Sequence, residues 1–249
     1  MTNRRIRKEP APFRRVAVVA TEPVSPWMTR VIVGGEELEG FAIELPAASV
    51  RLLLPTRAEL EIPTWAGNEF LLADGTRPSI RTLTPRRFDP DRLELALDIV
   101  HHDGGVLTPW ADAACAGSAP DVAVSGPGRG HEIDADASAF ILIGDETAIP
   151  AICQLLESLP GVPLQTFIAV RGVDGRVDLH RSVDERWHLV ESPRDLGSVA
   201  VDHLALAELA EGTYIWAAGE AASMQSIRKY LFGDREFPRQ RTTIRGYWK

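Results

Sequence analysis

The fold is decided by residues 139–157, which read AFILIGDETAIPAICQLLE. An apolar run ends at Gly144, an acidic turn follows, and a helical pattern continues from Ile149. This order predicts a strand, a glycine turn and a helix. Such a turn places unpaired N–H groups and the positive end of a helix dipole at the carboxyl edge of a sheet, where dinucleotides bind in open α/β domains. Because the turn is acidic, it is not the G-x-G-x-x-G fingerprint, and Asp145 is equally well explained as a helix N-cap.

A second edge of the same kind occurs at residues 214–220, which read YIWAAGE. An apolar run again ends at a glycine followed by an acidic residue, and residues 221–231 continue as a helical pattern. Two such edges in one half of the chain predict a ligand crevice in an α/β domain.

The pattern changes near residue 130. Before it, short β-rich runs are separated by Pro, Gly and acidic turns, which predicts an antiparallel barrel or sandwich. After it, strands alternate with helices, as in a parallel α/β sheet. The predicted strands are Arg15–Ala20, Thr29–Val33, Val50–Leu54, Ser79–Thr84, Leu93–Val100, Asp121–Ser125, Phe140–Ile143, Leu164–Val170, Trp187–Val190 and Tyr214–Ala217, and the predicted helices of the second half are Ile149–Ser158, Val201–Leu209 and Ala221–Leu231.

Residues 126–131, GPGRGH, form a turn-rich hinge between the two patterns. We therefore predict a flexible basic tail at residues 1–12, a β domain at 13–130 and an α/β domain at 131–249.

Composition limits the possible functions. The 249 residues are 45% hydrophobic and 25% charged, as in ordinary globular proteins, and the formal net charge of −8 argues against nucleic acid as a partner. No apolar run approaches the roughly 20 residues that span a bilayer, so we predict no membrane insertion and a cytoplasmic protein. The two cysteines, Cys115 and Cys153, are not a C-x-x-C pair, and we expect both to be buried apolar residues.

Four blocks, in order, resemble one family. They are residues 81–86 (RTLTPR), 97–111 (LDIVHHDGG through WA), 144–152 (GDETAIPAI), and 216–231 closed by GYWK at 246–249. With them the chain resembles the siderophore-interacting proteins, FAD-dependent ferric-siderophore reductases of ferredoxin-reductase-like layout. The resemblance implies an N-terminal antiparallel β-barrel that binds flavin, followed by an α/β domain with a parallel sheet that binds NAD(P)H and closes with the Gly-Tyr-Trp segment.

The resemblance assigns the flavin to two of these blocks. Arg81 is a cation suited to a phosphate, and Thr82 and Thr84 would offer polar groups to the isoalloxazine and ribityl chain. Leu83 stands where the family has a tyrosine that stacks on the flavin, so it would cover the ring without an aromatic contact. A surface arginine is the alternative explanation of Arg81.

In the second block, His101 would lie near the FAD pyrophosphate. Gly105 and Thr108 would belong to a glycine loop that leads into a phosphate-binding helix. His102 occupies a glycine position of the family and would crowd this loop. Adjacent strand residues point to opposite faces, so His101, His102 and Asp103 are not expected to share a metal ion, and we predict no metal site.

The α/β domain would hold the nicotinamide donor. We expect Asp145, Glu146 and Thr147 on one side of its pocket and Gly219 and Glu220 on the other. An acidic pocket favours NADH over NADPH because it repels the extra phosphate. By resemblance, Tyr247 and Trp248 return to the flavin face. They are equally explained as residues that pin a last strand.

Cations are expected where an anionic ferric complex binds. By position, Arg51, Arg129, Arg245 and Lys249 resemble the basic patch of some family members, although surface solvation explains each one singly. The predicted function is transfer of electrons from NADH or NADPH, with ferredoxin as the alternative donor, through FAD to a ferric siderophore with release of Fe(II). The cofactor carries the chemistry, so no catalytic side chain is predicted. The alternatives are a general flavin or ferric-chelate reductase and a non-catalytic siderophore- or flavin-binding protein.

Overall fold

The structure is a computed structural model that describes residues 9–57, 59–179, 184–192, 195–207 and 209–249. Most of the predicted basic tail, with Arg4, Arg5, Arg7 and Lys8, lies outside the described residues. Two compact units divide the chain. The first contains Thr29–His131 and the residues before Val24, and the second contains Val24–Met28 and Glu132–Lys249.

The first unit is built on a seven-stranded sheet in the order β6-β3-β9-β1-β2-β8-β7. Strand β1 pairs antiparallel with β9, β3 with both β6 and β9, and β7 with β8. A separate hairpin is formed by β4 and β5, and one helix, α1, follows β8. The elements are β1 (Phe13–Ser25), β2 (Met28–Gly34), β3 (Val50–Leu54), β4 (Thr64–Ala66), β5 (Glu69–Leu71), β6 (Ser79–Leu83), β7 (Arg87–Asp89), β8 (Glu94–Val100), α1 (Leu107–Cys115) and β9 (Val122–Ser125).

Alternate residues of the strands form the core of this unit. Leu95, Leu97 and Ile99 are each 0% exposed on one face of β8, and they pack with alternate residues of β2 and β3. A strand repeats every two residues, so one face of each strand can enter a common core while the sheet curls around it. Trp110 of α1, 4% exposed, belongs to this core and is therefore a packing residue.

The second unit has a five-stranded sheet in the order β12-β11-β10-β13-β14, and all its pairs are parallel. Its elements are β10 (Ala139–Asp145), α2 (Ile149–Ser158), β11 (Leu164–Val170), β12 (Asp184–Leu189), α3 (Leu196–Leu206), β13 (Thr213–Glu220), α4 (Ala221–Lys229) and β14 (Thr242–Trp248). An antiparallel β unit followed by a parallel α/β unit confirms the predicted fold class.

Apolar residues of α3 and α4 cover one face of this sheet. Leu196 and Ala200 of α3 and Ile227 of α4 pack with Ile143 and Phe167 from the central strands. Sheets of this type are buried by the helices that connect their strands. Because β10 and β13 pair in parallel, their carboxyl ends lie side by side at one edge of the sheet.

Three expectations about local structure were wrong. Helix α3 begins at Leu196 and not near Val201, because the apolar residues that bury it start there. The short strands of the β4–β5 hairpin and β7 were missed, since three-residue strands carry too little alternation to be detected. Cys115 is exposed at the last turn of α1, where Ala111 and Ala114 form the buried side, whereas Cys153 is 2% exposed as expected.

Among the described residues, none of the helices has the length and apolar character needed to cross a bilayer.

Candidate functional site

Arg81, Thr82 and Leu83 of the RTLT block lie on β6, an edge strand of the first sheet, and Thr84 follows it directly. Arg81 is exposed, and its guanidinium donates one hydrogen bond of 2.9 Å, from Nη1 to the carbonyl of Ile80. A guanidinium has five N–H donors in a planar fork, so Arg81 retains donors for a phosphate.

The other three residues of the block differ in exposure. Thr82 is exposed, whereas Thr84 is 7% exposed. Leu83 is half-buried and packs against the core of the first unit, next to Val50 in the register of β3 and β6. Part of the leucine surface is therefore used internally, and the remainder is what could cover a ring.

The loop between β8 and α1, residues 101–106, contains two adjacent glycines and is called the glycine cradle below. Gly104 and Gly105 have φ values of 82° and 97°, a left-handed conformation that favours glycine. A Cβ at Gly105 would lie 3.0 Å from the Cε1 atom of His102. Helix α1 then begins without a side chain that caps its N-terminus. Its first N–H groups are thus available to an anion, and the cradle fits the pyrophosphate of FAD.

Two residues hold this loop in place. The Thr108 hydroxyl accepts from the His102 N–H and donates to the His102 carbonyl, both at 3.1 Å, so it closes the loop on itself. The Nε2 atom of His101 lies 2.8 Å from the Thr29 hydroxyl on β2, and its Nδ1 atom lies 3.8 Å from a carboxylate oxygen of Asp112 on α1. The imidazole of His101 therefore lies at the start of this loop, between β2 and α1.

Sequence reasoning missed an ion pair close to His101. Arg30 of β2 donates from Nε and Nη2 to the two oxygens of Asp98 at 2.7 and 2.9 Å. The Asp98 side chain is 2% exposed, so this is a buried bidentate pair next to the Thr29 contact of His101. The available signal was an aspartate within the apolar run of β8, which requires a buried partner.

In the second unit, Asp145 ends the central strand β10 and is 1% exposed. Its Oδ1 atom accepts from the N–H and the hydroxyl of Thr147 at 2.9 and 2.5 Å. Its Oδ2 atom accepts from the N–H of Glu220 at 2.9 Å and from the indole Nε1 of Trp248 at 3.0 Å. Burial raises the pKa of the Asp145 carboxyl, although the hydrogen bonds from Thr147 and Trp248 act in the opposite direction.

Glu146 also turns inward. Its Oε1 atom accepts from the N–H of Arg171 at 3.0 Å, and its Oε2 atom lies 2.7 and 2.6 Å from Nε and Nη2 of the same arginine. The Glu146 side chain is 4% exposed and that of Arg171 is 18% exposed. The guanidinium also lies 4.7 Å from the centre of the Trp27 ring, within the same unit. This pair fixes the turn to the end of β11.

Gly219 and Glu220, at the end of β13, lie close against Asp145 at the end of β10. A Cβ at Gly219 would lie 2.5 Å from Oδ2 of Asp145, so only glycine permits this approach. Glu220 is 5% exposed and accepts from the N–H of Ser223 at 2.6 Å, which caps α4.

These contacts show that the three carboxylates at the sheet edge serve internal donors. The preference for NADH rested on acidic groups that face the ligand, and the observed contacts supply no such groups. Of the residues at this edge, Thr147 is half-buried, whereas Gly144, Asp145, Glu146, Gly219 and Glu220 are buried.

Trp248 pins the last strand, as one of the two explanations expected. Its indole contact with Asp145 ties β14 to the end of β10. Tyr247 is half-buried beside it.

The four predicted siderophore cations fall into two groups. In the first unit, Arg51 pairs in register with Thr82 and Ser125, and its guanidinium lies 5.9 Å from the centre of the Phe70 ring. Exposed Arg129 belongs to a loop held beside the start of β3, since Gly128 N–H donates to Ser49 O at 2.6 Å. In the second unit, Arg245 lies on β14 and exposed Lys249 follows that strand.

Two family models divide the chain between them. Residues 17–131 match the siderophore-interacting FAD-binding domain, and residues 137–249 match the siderophore-interacting protein model.

Relatives match over nearly the whole chain. An uncharacterized protein of Mycobacterium tuberculosis is 32% identical over 258 residues, which cover 96% of this chain and 90% of that protein. The NADPH-dependent ferric-chelate reductase of Escherichia coli is 27% identical over 241 residues, which cover 95% of this chain and 92% of that protein. Among solved structures, a siderophore utilization protein from T. fusca superposes with a TM-score of 0.83 at 29% identity, covering 97% of this chain and 94% of that one.

Proposed function

Because the chain belongs to the siderophore-interacting protein family, we propose that it is a ferric-siderophore reductase that passes electrons from NAD(P)H through FAD to siderophore-bound Fe(III) and releases Fe(II). The observation that carries the proposal is the glycine cradle at the uncapped start of α1, within the residues that match the FAD-binding domain.

In this proposal, residues of the first unit hold the FAD. The N–H groups at the start of α1 bind the pyrophosphate, and Arg81 adds a fixed positive charge from the edge strand β6. Thr82 offers an exposed hydroxyl to the cofactor, and Leu83 offers its exposed surface to the ring. His101 and Thr108 keep the cradle in the shape that receives the phosphates.

When bound, the flavin accepts a hydride and gives up electrons singly, which couples a two-electron donor to one-electron reduction of iron. Residues of the second unit orient that donor. The backbone of residues 144–147 and 219–220 lines the carboxyl edge of the sheet, where dinucleotides bind in open α/β domains. We propose that this edge accepts NADH or NADPH, since its carboxylates are engaged internally and do not oppose the 2′-phosphate.

Cationic side chains supply the recognition of the iron complex. Arg51 and Arg129 of the first unit, and Arg245 and Lys249 of the second, remain the cations proposed to attract an anionic siderophore, because long-range attraction raises the encounter rate with a charged substrate. The siderophore supplies the oxygen ligands of Fe(III), so the protein needs to bind the complex and not the bare ion. A nicotinamide donor is a cytoplasmic metabolite, and the proposal accordingly places the protein in the cytoplasm. Reduced ferredoxin is the alternative donor that the experiment must separate.

The experiment compares Gly105→Ala with Gly117→Ala. Both glycines have left-handed backbones, with φ of 97° and 69°, and they lie at opposite ends of α1. A Cβ at Gly117 meets no atom within 4 Å, whereas one at Gly105 lies 3.0 Å from His102. We expect both variants to pay a similar backbone cost of about 1 kcal/mol. Gly105→Ala should in addition bind FAD at least about tenfold more weakly, a difference read by fluorescence titration of the apoprotein.

Turnover is then followed anaerobically in the FAD-loaded wild type. NADH, NADPH and reduced ferredoxin are each tested for bleaching of the flavin absorption, and a ferric siderophore is added to restore it while a chelator traps Fe(II). Bleaching by a dinucleotide and recovery with Fe(II) release are expected. Bleaching by ferredoxin alone would reassign the donor. Reoxidation by any ferric chelate at equal rate would indicate a general ferric-chelate reductase. An oxidised flavin that no donor reduces would indicate a binding protein.

A further inference from the structure

One carboxylate joins three segments of the second unit. Four donors reach Asp145, two from Thr147 and one each from Glu220 and Trp248. Thr147 and Glu220 belong to turns that continue into α2 and α4, whereas the Trp248 indole comes from β14. The indole is thus the contact through which Asp145 acts on this strand.

The register of β14 is irregular at this point. Gly219 pairs with Gly246, but the next pair joins Glu220 to Trp248, so Tyr247 is the additional residue of a bulge. A bulge redirects the side chains that follow it. In a regular ladder, Tyr247 would stand opposite Glu220. The bulge brings Trp248 to that position instead, from which its indole reaches Asp145.

Asp145 itself cannot touch a ligand. It is 1% exposed, and the absence of a Cβ at Gly219 allows its Oδ2 atom to lie deep between β10 and β13. Trp248 and Tyr247 are only half-buried, at the carboxyl edge of the sheet beside both turns. Side chains at this edge are placed to contact a bound dinucleotide.

We propose that Asp145 is a positioning residue, which through the Trp248 indole holds Tyr247 and Trp248 as one wall of the dinucleotide site. This inference rests on the proposed function, since it assumes that the sheet edge binds NAD(P)H. Asp145 thereby acts on the donor through another side chain and does not contact it.

The test removes the indole N–H and keeps an aromatic ring, with Trp248→Phe. The matched control is Trp216→Phe, on the neighbouring strand β13 and also in register with β14. Trp216 is 0% exposed, and its indole nitrogen has no hydrogen-bond partner among the described residues. The control therefore loses ring volume but no hydrogen bond. Hydrogen exchange of the amides at 246–248 should be on the order of tenfold faster in Trp248→Phe than in the wild type, and unchanged in Trp216→Phe.

Binding is measured separately from turnover. Calorimetric titration of the FAD-loaded proteins with NADP⁺ and NAD⁺ should show on the order of tenfold weaker binding in Trp248→Phe. The KM for the better dinucleotide should rise by a similar factor in Trp248→Phe and should stay at the wild-type value in Trp216→Phe. Asp145→Asn, where it folds, should weaken dinucleotide binding as Trp248→Phe does, and the double variant should lose little more than either single one.

Each outcome decides the proposal. Unchanged exchange at 246–248 in Trp248→Phe would overturn the anchoring. Faster exchange with unchanged dinucleotide affinity and KM would show that the contact is structural only, which also overturns the proposal. A wild type that binds neither dinucleotide refutes the proposed donor, and with it the wall of a dinucleotide site, while the exchange data still report on the anchor alone.

Discussion

Replacing Glu146 by glutamine separates a structural role from a ligand role for the acidic turn. The carboxylate contacts the N–H, Nε and Nη2 of Arg171 at 3.0, 2.7 and 2.6 Å. Both side chains are largely buried, at 4% and 18% exposure. Loss of one member of a buried pair costs about 3–5 kcal/mol. Glutamine keeps one acceptor and the Trp27 ring stays over the guanidinium, so we expect a loss of about 2–4 kcal/mol from the free energy of unfolding.

The assay is thermal unfolding of Glu146→Gln beside Glu211→Gln, which alters an exposed carboxylate of the same unit. A loss of this size lowers Tm by about 5–15 °C, and the control should stay within about 2 °C of the wild type. The KM for NAD(P)H, measured well below the transition, should be the same in both variants. A normal Tm together with a raised dinucleotide KM would refute the reasoning, because it would mean that the carboxylate faces the ligand.

Two further predictions concern buried charge. Arg30→Met removes the bidentate partner of Asp98, whose side chain is 2% exposed, and should lower the free energy of unfolding by about 3 kcal/mol. The control is Arg77→Met, because the Arg77 side chain is 81% exposed in its ion pair with Glu69, and it should change the free energy of unfolding by less than about 1 kcal/mol. Urea denaturation compares the two variants. Since burial raises the pKa of Asp145 above its ordinary 3.8, the folded protein holds this proton more tightly than the unfolded chain does. The stability of the wild type relative to Asp145→Asn should therefore be greatest below pH 3.8 and decline as the pH rises through the folded-state pKa; urea unfolding of both proteins between about pH 4 and pH 8 gives the slope, and a flat difference would contradict it.

Local pattern was sufficient for most of the strands. Val50–Leu54 and Leu164–Val170 have the same bounds in the structure as in the sequence reading. Both are short, largely apolar runs between turn residues, and this signal depends only on residues within and next to the strand. The bounds failed where packing decided them, as at α3, whose first turn is buried by residues from other elements.

The sequence placed the residues of the acidic turn correctly at the end of a strand, but it did not predict their contacts. The motif placed Asp145 and Glu146 at the edge of a sheet, and they do lie there. The sequence could not show that their carboxylates turn inward, because Asp145 meets Trp248 across 103 positions and Glu146 meets Arg171 across 25.

By itself, the sequence determined the two fold classes, their order along the chain, the glycine turns and the family. Each of these is encoded in short-range periodicity, turn chemistry and motif order. Only the tertiary structure decided which acidic groups turn inward, which arginine pairs with the buried Asp98, and which indole reaches Asp145. The reason is physical, since a buried charge must find its partner wherever the strand order brings one within hydrogen-bond distance, and strand order is a property of the assembled sheet.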